Sequence, residues 1–366
     1  MAWPAQPTST RSPLADFHPH AELQLIPHSK PWIDAADIAA VVACLESGQV
    51  AEGSEAGRLE EALAARLGSP RAIVVGSGSQ ALLLALRGVG AATGSEVILP
   101  TYVCPEVLAV VEDLGAIPIL VDIDEEYLVD FDQVAQACTA RTGAIILPYL
   151  FGTPIELDRL RTLGIPLIAD WAQYLPSRQS QPCCADVKIL SFQATKVLAA
   201  GEGGAVLAEE PLAERIARLK TVDGSEHRKN LYPLSDLQAA LARSQLDRLD
   251  IILKRRKEIA DYYFAELRTL DSIRLPDSLR DKSTFYRYPV VLNECTEVDQ
   301  LIEQFGRHEV AVRRPVDTML HQFRPTSRTF PVAERLFATT ISLPIYPAMS
   351  DEDVETVVWV SRRILG

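Results

Sequence analysis

The sequence predicts an α/β protein in which a large domain, with a mainly parallel seven-stranded sheet, is followed by a smaller C-terminal α+β domain. Short, continuously apolar runs alternate with helical patterns between residues 50 and 250, which is typical of a parallel sheet covered on both faces. The 366 residues suit one large and one smaller domain. We expect the large domain over 24–250 and the small one over 251–366. The Pro-, Ser- and Thr-rich stretch 1–23 predicts a poorly ordered arm.

Seven apolar runs are predicted as the strands of the sheet. They are RAIVVGS (71–77), EVILP (96–100), IPILVDID (117–124), GAIILPYLFG (143–152), IPLIAD (165–170), DVKILSF (186–192) and GAVLAE (204–209). Each of the first four is followed by a segment with helical spacing of its apolar residues. A long amphipathic pattern over 235–267 predicts a helical region that leads to the second domain, where YRYPVVL (286–292) indicates a strand.

Composition narrows the class of protein. The net charge of −13 argues against a general nucleic-acid binder, because neutralising phosphates requires clustered Lys and Arg. No apolar run reaches the ~18 residues that cross a membrane, and the N-terminus has no apolar signal core. The six cysteines show neither C-x-x-C nor zinc spacing, so we expect reduced cysteines, no metal and a cytoplasmic location.

Four groups that could carry chemistry fall where predicted strands end. The turn GSGS (76–79) lies between the first strand and a helix, where small residues and free amide groups suit an anion. Asp170 ends the fifth strand, Ser191 lies at the end of the sixth, and Lys196 follows in a mostly apolar segment. Ligands of open α/β sheets bind outside the carboxyl ends of the strands.

Each group alone has an ordinary explanation: a tight turn, a helix cap for Asp170, a salt-bridged surface lysine for Lys196. Together they describe a pyridoxal phosphate site, in which Lys196 forms the Schiff base, Asp170 pairs with the protonated ring nitrogen, and the turn and Ser191 hold the phosphate. No G-K-[ST] follows the glycines, which excludes a P-loop, and G-x-G-x-x-G is absent after the first strand, which excludes a nicotinamide site.

These motifs resemble the DegT/StrS family of pyridoxal-phosphate-dependent aminotransferases, which have the fold-type-I architecture. The stretches that carry the resemblance are GSGSQAL, ADWAQ, SFQATK, GEGGAV and LSDLQAAL. The resemblance implies that Lys196 is the Schiff-base lysine and that Asp170 is the carboxylate on the pyridine nitrogen. It places Ala172 as a small residue against the ring and Gln173 near the ring hydroxyl.

The same resemblance implies that Gly78, Ser79 and Ser191 bind the cofactor phosphate. Two positions depart from the family pattern. Cys104 stands where an aromatic residue commonly stacks on the ring, and a leucine stands where an asparagine reaches the phosphate of the partner subunit. Asn230, one residue earlier, is predicted to supply that contact after a register shift.

The implied activity is transfer of an amino group from a donor, glutamate or glutamine, to a keto acceptor, in the family most often a nucleotide-linked keto sugar. We expect small-molecule substrates and a homodimer with shared active sites. Arg313 and His321, in AVRRPVDTMLHQ, could bind acceptor phosphate or donor carboxylate, or could belong to a solvated basic turn. The alternatives are a sugar dehydratase, in which family members have histidine in place of the lysine, and a cofactor-binding regulator without turnover.

Overall fold

A computed structural model describes residues 25–177, 183–222, 229–294 and 297–366, so the predicted arm lies outside the described residues. The strands are β1 (Arg71–Val75), β2 (Glu96–Pro100), β3 (Ile117–Val121), β4 (Thr142–Pro148), β5 (Leu167–Asp170), β6 (Val187–Ser191), β7 (Gly204–Ala208), β8 (Thr221–Val222), β9 (Lys229–Asn230), β10 (Ile273–Arg274), β11 (Tyr288–Leu292) and β12 (Thr340–Leu343). The helices are α1 (Ala35–Glu46), α2 (Ser54–Leu67), α3 (Gly78–Val89), α4 (Pro105–Asp113), α5 (Phe131–Ala137), α6 (Asp158–Arg161), α7 (Leu212–Leu219), α8 (Asp236–Asp247), α9 (Leu249–Leu267), α10 (Ser278–Lys282), α11 (Val298–Gly306), α12 (Leu320–Phe323), α13 (Pro331–Thr339) and α14 (Asp351–Leu365).

The predicted central sheet is confirmed, with seven strands in the order β1-β7-β6-β5-β4-β2-β3. Strands β3, β2, β4, β5 and β6 pair in parallel. Strand β7 is antiparallel to both of its neighbours, β6 and β1. The carboxyl ends of the other six strands therefore lie at one edge of the sheet, together with the beginning of β7.

Both faces of this sheet are covered, which explains the continuously apolar strands. In β4, Ile146 packs in a core that also contains residues of α3 and α4. Its neighbours Ile145 and Leu147 point to the other face and pack in a core with residues of α2 and α8. Successive residues of a strand point to opposite faces, so burial of both faces requires apolar residues at every position.

A second, three-stranded antiparallel sheet contains β10, β11 and β12. Strand β11 is the predicted YRYPVVL strand, and its five residues are all buried. The apolar residues of this sheet pack with those of α9, α11 and α14. The division of the chain at residue 250 stays a prediction.

The predicted helical region over 235–267 consists of two helices, since α8 ends at Asp247, α9 begins at Leu249, and Arg248 caps both. The Arg248 guanidinium forms an ion pair with Asp34 at 2.7 Å and donates to the carbonyl oxygen of Trp32 at 2.8 Å. It also contacts the Trp32 ring and pairs with the buried Asp37. These contacts with the segment before α1 hold the side chain at the point where the helix breaks.

No helix among the described residues is both long and apolar enough to cross a membrane.

Candidate active site

The edge formed by the carboxyl ends of the strands collects the groups that the sequence singled out. Asp170 is the last residue of β5, and Ser191 is the last residue of the adjacent parallel strand β6. Ser191 pairs with Gly204 at the start of β7. The turn after β1 reaches the same place, because Ser77 forms a bridge with Gly203.

Two glycines allow the turn after β1 to approach β6 and β7 closely. A Cβ atom on Gly78 would lie 2.9 Å from Cβ of Ser191, and one on Gly204 would lie 2.6 Å from the carbonyl oxygen of Ser77. The Ser77 side chain caps α3 by accepting the amide of Gln80, which leaves the amides of Gly78 and Ser79 to an anion. These amides and the Ser191 hydroxyl form a cradle that suits a phosphate group.

Asp170 is buried, with 6% of its surface exposed. Its Oδ1 atom accepts the amide of Ala172 at 2.9 Å. Burial raises the pKa of the Asp170 carboxyl, whereas the Ala172 amide and the charge of Lys196 lower it, and burial is the largest of these influences. A buried carboxylate of this kind is stabilised by a cationic partner, and the pairing of Asp170 with a protonated ring nitrogen stays a prediction.

Lys196 lies in the loop between β6 and β7. Its amide donates to the carbonyl oxygen of Gln193 at 2.8 Å, and the loop is closed by a hydrogen bond from Ala200 to Phe192. The Nζ atom lies 5.1 Å from the centre of the Tyr286 ring. Lys196 follows β6, the strand next to the one that Asp170 ends, and the charge of Lys196 lowers the pKa of Asp170.

Sequence reasoning missed Tyr286, which comes two residues before β11. Its hydroxyl lies 3.4 Å from Oγ1 of Thr195, next to Lys196. Burial raises the pKa of this phenol, but the charges of Lys196 and Arg287, the Thr195 hydroxyl and Arg256 together bring it below its usual value. The aromatic and basic residues of FYRYP beside a predicted strand could have indicated a binding site. No sequence pattern near them connects them with Lys196.

Two other predicted cofactor residues lie beside Asp170. Ala172 is half-buried, and it packs against the same core as Cys104 does. Burial raises the pKa of the Cys104 thiol to about 12, and the Asp170 charge adds to this effect. The Gln173 Oε1 atom accepts the amide of Phe151 at 2.8 Å, which fixes its orientation and leaves its NH₂ group available to a ligand.

Asn230, at the end of β9, is held within its own chain. Its amide group donates to Glu52, which also pairs with the buried Lys220 at 2.7 Å. Its Oδ1 atom accepts the amide of Tyr232 at 3.1 Å. The contact of Asn230 with a partner's cofactor stays a prediction.

The two predicted substrate residues occupy different surroundings. The His321 ring stacks on Phe330, and its Nδ1 atom is 2.8 Å from the hydroxyl oxygen of Thr101, which directly follows β2. The backbone of Arg313 pairs with Ser342 of β12, and its side chain is exposed. His321 is thus attached to the active-site edge of the large sheet, and Arg313 to the second sheet.

The comparison with known proteins identifies the family of this chain. The sequence signature of the DegT/DnrJ/EryC1/StrS aminotransferase family matches residues 31–360. The chain belongs to this family. Among its relatives is the spore coat polysaccharide biosynthesis protein SpsC of Bacillus subtilis (strain 168), which is 29% identical over 93% of this chain and 97% of SpsC.

Solved structures agree with this assignment. Spr1654 from Streptococcus pneumoniae in its PLP form has a TM-score of 0.83, 26% identity, and coverage of 93% of this chain and 100% of its own. DesI, solved in the presence of its TDP-sugar product, has a TM-score of 0.84, 27% identity, and coverage of 93% of both chains. The chain is thus an aminotransferase with the fold-type-I architecture, and its cofactor is pyridoxal phosphate.

The residues of this DegT/DnrJ/EryC1/StrS member fit that cofactor. Glycine at position 78 lets the turn after β1 approach Ser191, which brings the amides of the turn and the Ser191 hydroxyl together where they would hold the phosphate. A buried carboxylate and a lysine amine lie beside it. Lys196 and Asp170 would hold the reactive and the pyridine end of the ring, and Ala172 leaves space between them.

Proposed function

We propose that this protein transfers an amino group from glutamate or glutamine to the keto group of a nucleotide-linked sugar. The observation that carries this proposal is that Asp170 at the end of β5, the Lys196 loop after the adjacent β6 and the turn at Gly78 lie at the same edge of the sheet. The presence of a lysine favours transamination over sugar dehydration. The TDP-sugar product of DesI and the polysaccharide pathway of SpsC support a sugar acceptor.

The residues of the site divide the work between binding and proton transfer. Pyridoxal phosphate, when bound, supplies an electron sink for the negative charge left on the donor Cα atom. Asp170 keeps the pyridine nitrogen protonated, because its buried carboxylate is stabilised by a cation. The Lys196 Nζ atom holds the cofactor between turnovers and moves the proton away from the donor Cα atom.

Tyr286 orients the Lys196 amine. Its ring faces the ammonium group, and its hydroxyl is held near Thr195. A cation over an aromatic face is stabilised by the ring quadrupole, so Tyr286 restricts the lysine to one region of the site. The Thr195 side chain is itself held by a hydrogen bond to Gln193 at 2.6 Å.

We further propose that the enzyme is a cytoplasmic homodimer whose active sites are completed by the partner. Ile38, Val42 and Leu45 form an exposed apolar face on α1, of which 58%, 42% and 54%, respectively, is accessible. A cluster of exposed apolar side chains is typical of a surface that another molecule covers. The cysteine composition, without disulfide or zinc spacing, supports a reducing compartment.

The proposed function is tested by two half-reactions. Purified protein is loaded with pyridoxal phosphate, and the absorbance of the bound cofactor is followed after addition of glutamate or glutamine. We expect loss of the band with the donor and its return when a TDP-linked keto sugar is added. If neither donor changes the absorbance band of the bound cofactor, the result contradicts an aminotransferase and favours a regulator. Dehydration of the sugar in the absence of a donor favours a lyase.

A further inference from the structure

Arg287 lies beside the catalytic amine but has no assigned role. Its guanidinium carbon is 5.3 Å from the centre of the same Tyr286 ring that the Lys196 Nζ atom contacts at 5.1 Å. The two cations are therefore at most about twice this distance apart. Arg287 and Lys196 thus both lie against the Tyr286 ring.

The hydrogen-bond partner of Arg287 is a neutral side chain. Its NH1 group lies 3.0 Å from Nδ1 of His28, and Nε2 of His28 lies 3.0 Å from the Ser342 hydroxyl oxygen. A guanidinium can only donate, so Nδ1 accepts and the proton of the imidazole is on Nε2. Burial, followed by the charges of Arg287 and Arg313, lowers the pKa of His28 to about 3.

The positive charge of this cluster is not balanced within the part of the chain that the structure describes. Neither Arg287 nor Arg313 forms an ion pair with a described Asp or Glu, and the Nε atom of Arg287 is buried without a hydrogen bond. Arg287 contacts the His28 ring directly, and the charge of the exposed Arg313 also acts on this ring. A half-buried cation without an ion-pair partner, such as Arg287, favours the binding of an anion.

Arg314, which follows Arg313 in the chain, differs from it in its contacts. Its guanidinium donates to the carbonyl oxygen of Phe337 at 2.7 Å and to Asp299 at 3.0 Å. It also lies over the Phe337 ring. Arg314 is therefore engaged in the fold, whereas its neighbour Arg313 is available to a ligand.

We propose that Arg287, supported by Arg313 and positioned by neutral His28, binds the α-carboxylate of the amino-acid donor. This inference rests on the proposed aminotransferase function. The carboxylate of the donor is attached directly to the reacting carbon, so it must lie near Lys196. The diphosphate of a nucleotide-linked sugar is separated from the keto carbon by the sugar ring, and a planar guanidinium matches a carboxylate.

The proposed binding of the α-carboxylate is tested with two donors that differ only in this group. Wild type, Arg287→Gln, Arg313→Gln and the matched control Arg314→Gln are loaded with cofactor and mixed with L-glutamate or with L-isoglutamine, whose α-carboxylate is replaced by an amide. The rate of the donor half-reaction is read from the cofactor absorbance. We expect wild type to prefer glutamate by at least about 100-fold.

In Arg287→Gln we expect this preference to fall to about 10-fold or less, through a lower rate with glutamate and little change with isoglutamine. Arg313→Gln should reduce it less, and Arg314→Gln should leave it within about twofold of wild type. An equal loss with both donors in Arg287→Gln overturns the proposal. A defect confined to the half-reaction with the keto sugar also overturns it, and assigns the arginine to the acceptor phosphate.

A binding measurement separates this proposal from the proposed function. Succinate carries carboxylates but no amine, so its binding to the cofactor-loaded protein, measured by calorimetry, does not depend on turnover. We expect Arg287→Gln to weaken succinate binding by about 10-fold or more. Equal binding by wild type and variant overturns the carboxylate site. Weakened binding without any donor half-reaction in wild type supports the site and contradicts the aminotransferase.

Discussion

The Lys196 Nζ atom lies 5.1 Å from the centre of the Tyr286 ring, although the two residues belong to different sheets of the fold. Lys196 follows a strand of the seven-stranded sheet, and Tyr286 precedes β11 of the three-stranded sheet. The same Tyr286 ring contacts Arg287. A residue next to the second sheet thus contributes to the environment of the Lys196 amine.

Replacement of Lys196 by alanine should abolish covalent attachment of the cofactor. Borohydride reduction followed by mass spectrometry should find a cofactor-modified Lys196 in wild type and no modified peptide in the variant. Transamination should fall by at least about 10²–10⁴-fold, because the proton-transfer group is lost. The variant Lys188→Ala, on β6, is the matched control and should keep the modification.

The fold of Lys196→Ala should remain intact, since the side chain is only half-buried and its contact is with a ring surface. Circular dichroism checks this expectation. A variant that is folded and still turns over at the wild-type rate would remove Lys196 from the mechanism.

Asp170→Asn should lower transamination by about 3–4 kcal/mol of transition-state stabilisation, because a neutral amide does not hold the pyridine nitrogen protonated. In the cofactor-free protein the same variant should unfold at a higher temperature at pH 7. Burial raises the pKa of the Asp170 carboxyl in the folded state. The protein therefore loses stability through this group as the pH rises from the pKa of the unfolded state through the pKa of the folded state.

The stability gain of Asp170→Asn should therefore shrink as the pH is lowered towards 4, and thermal unfolding without cofactor measures it. Added pyridoxal phosphate should stabilise wild type more than the variant. A variant with full activity and unchanged stability would make Asp170 a structural cap for the turn at Ala172.

Acid should destabilise the protein through His28. Burial lowers the pKa of His28 to about 3, so the unfolded chain takes up a proton that the folded chain rejects. The contribution of His28 is fully present above pH 6.5, and it decreases by up to about 1.4 kcal/mol per pH unit as the pH falls towards the folded pKa.

Urea denaturation of cofactor-free wild type and His28→Gln between pH 4 and 7 measures this effect. The difference in unfolding free energy between the two proteins should change with pH below 6.5 and be constant above it. His308→Gln, whose ring lies near Trp359, is the comparison variant. A pH-independent difference for His28→Gln would show that the pKa of His28 is the same in the folded and the unfolded protein.

A mixed dimer tests the shared active site. Chains with Lys196→Ala are mixed with chains with Asn230→Ala, and subunit exchange is confirmed by differently tagged chains. If Asn230 contacts the phosphate in the partner's site, one of the two sites in the hybrid has both native residues. The mixture should then recover part of the activity that each variant lacks.

The contact of Asn230 with Glu52 requires a control for this experiment. Glu52→Gln removes the charge from that contact and leaves Asn230 in place, so it should keep activity to a greater extent than Asn230→Ala. Confirmed exchange without recovery would mean that each site is built from one chain.

The sequence by itself determined the central sheet and the order of its catalytic groups. Strands such as EVILP were identified with the bounds that β2 has, because burial of both faces demands apolar residues throughout. Asp170 and Ser191 end such strands, and Lys196 lies in the loop after the second of them. Their meeting at one edge results from the parallel direction of β5 and β6, which the alternation of strands and helices already predicts.

Only the tertiary structure decided which distant side chains surround these groups. Tyr286, Arg287 and His28 lie far from Lys196 in the chain, and Arg248 divides the predicted helical region into two helices. The spacing of apolar residues along a segment reflects the hydrogen bonding and burial of that one helix or strand. The contacts of a side chain with another segment depend instead on how helices and sheets pack, and the chain carries no local pattern for them.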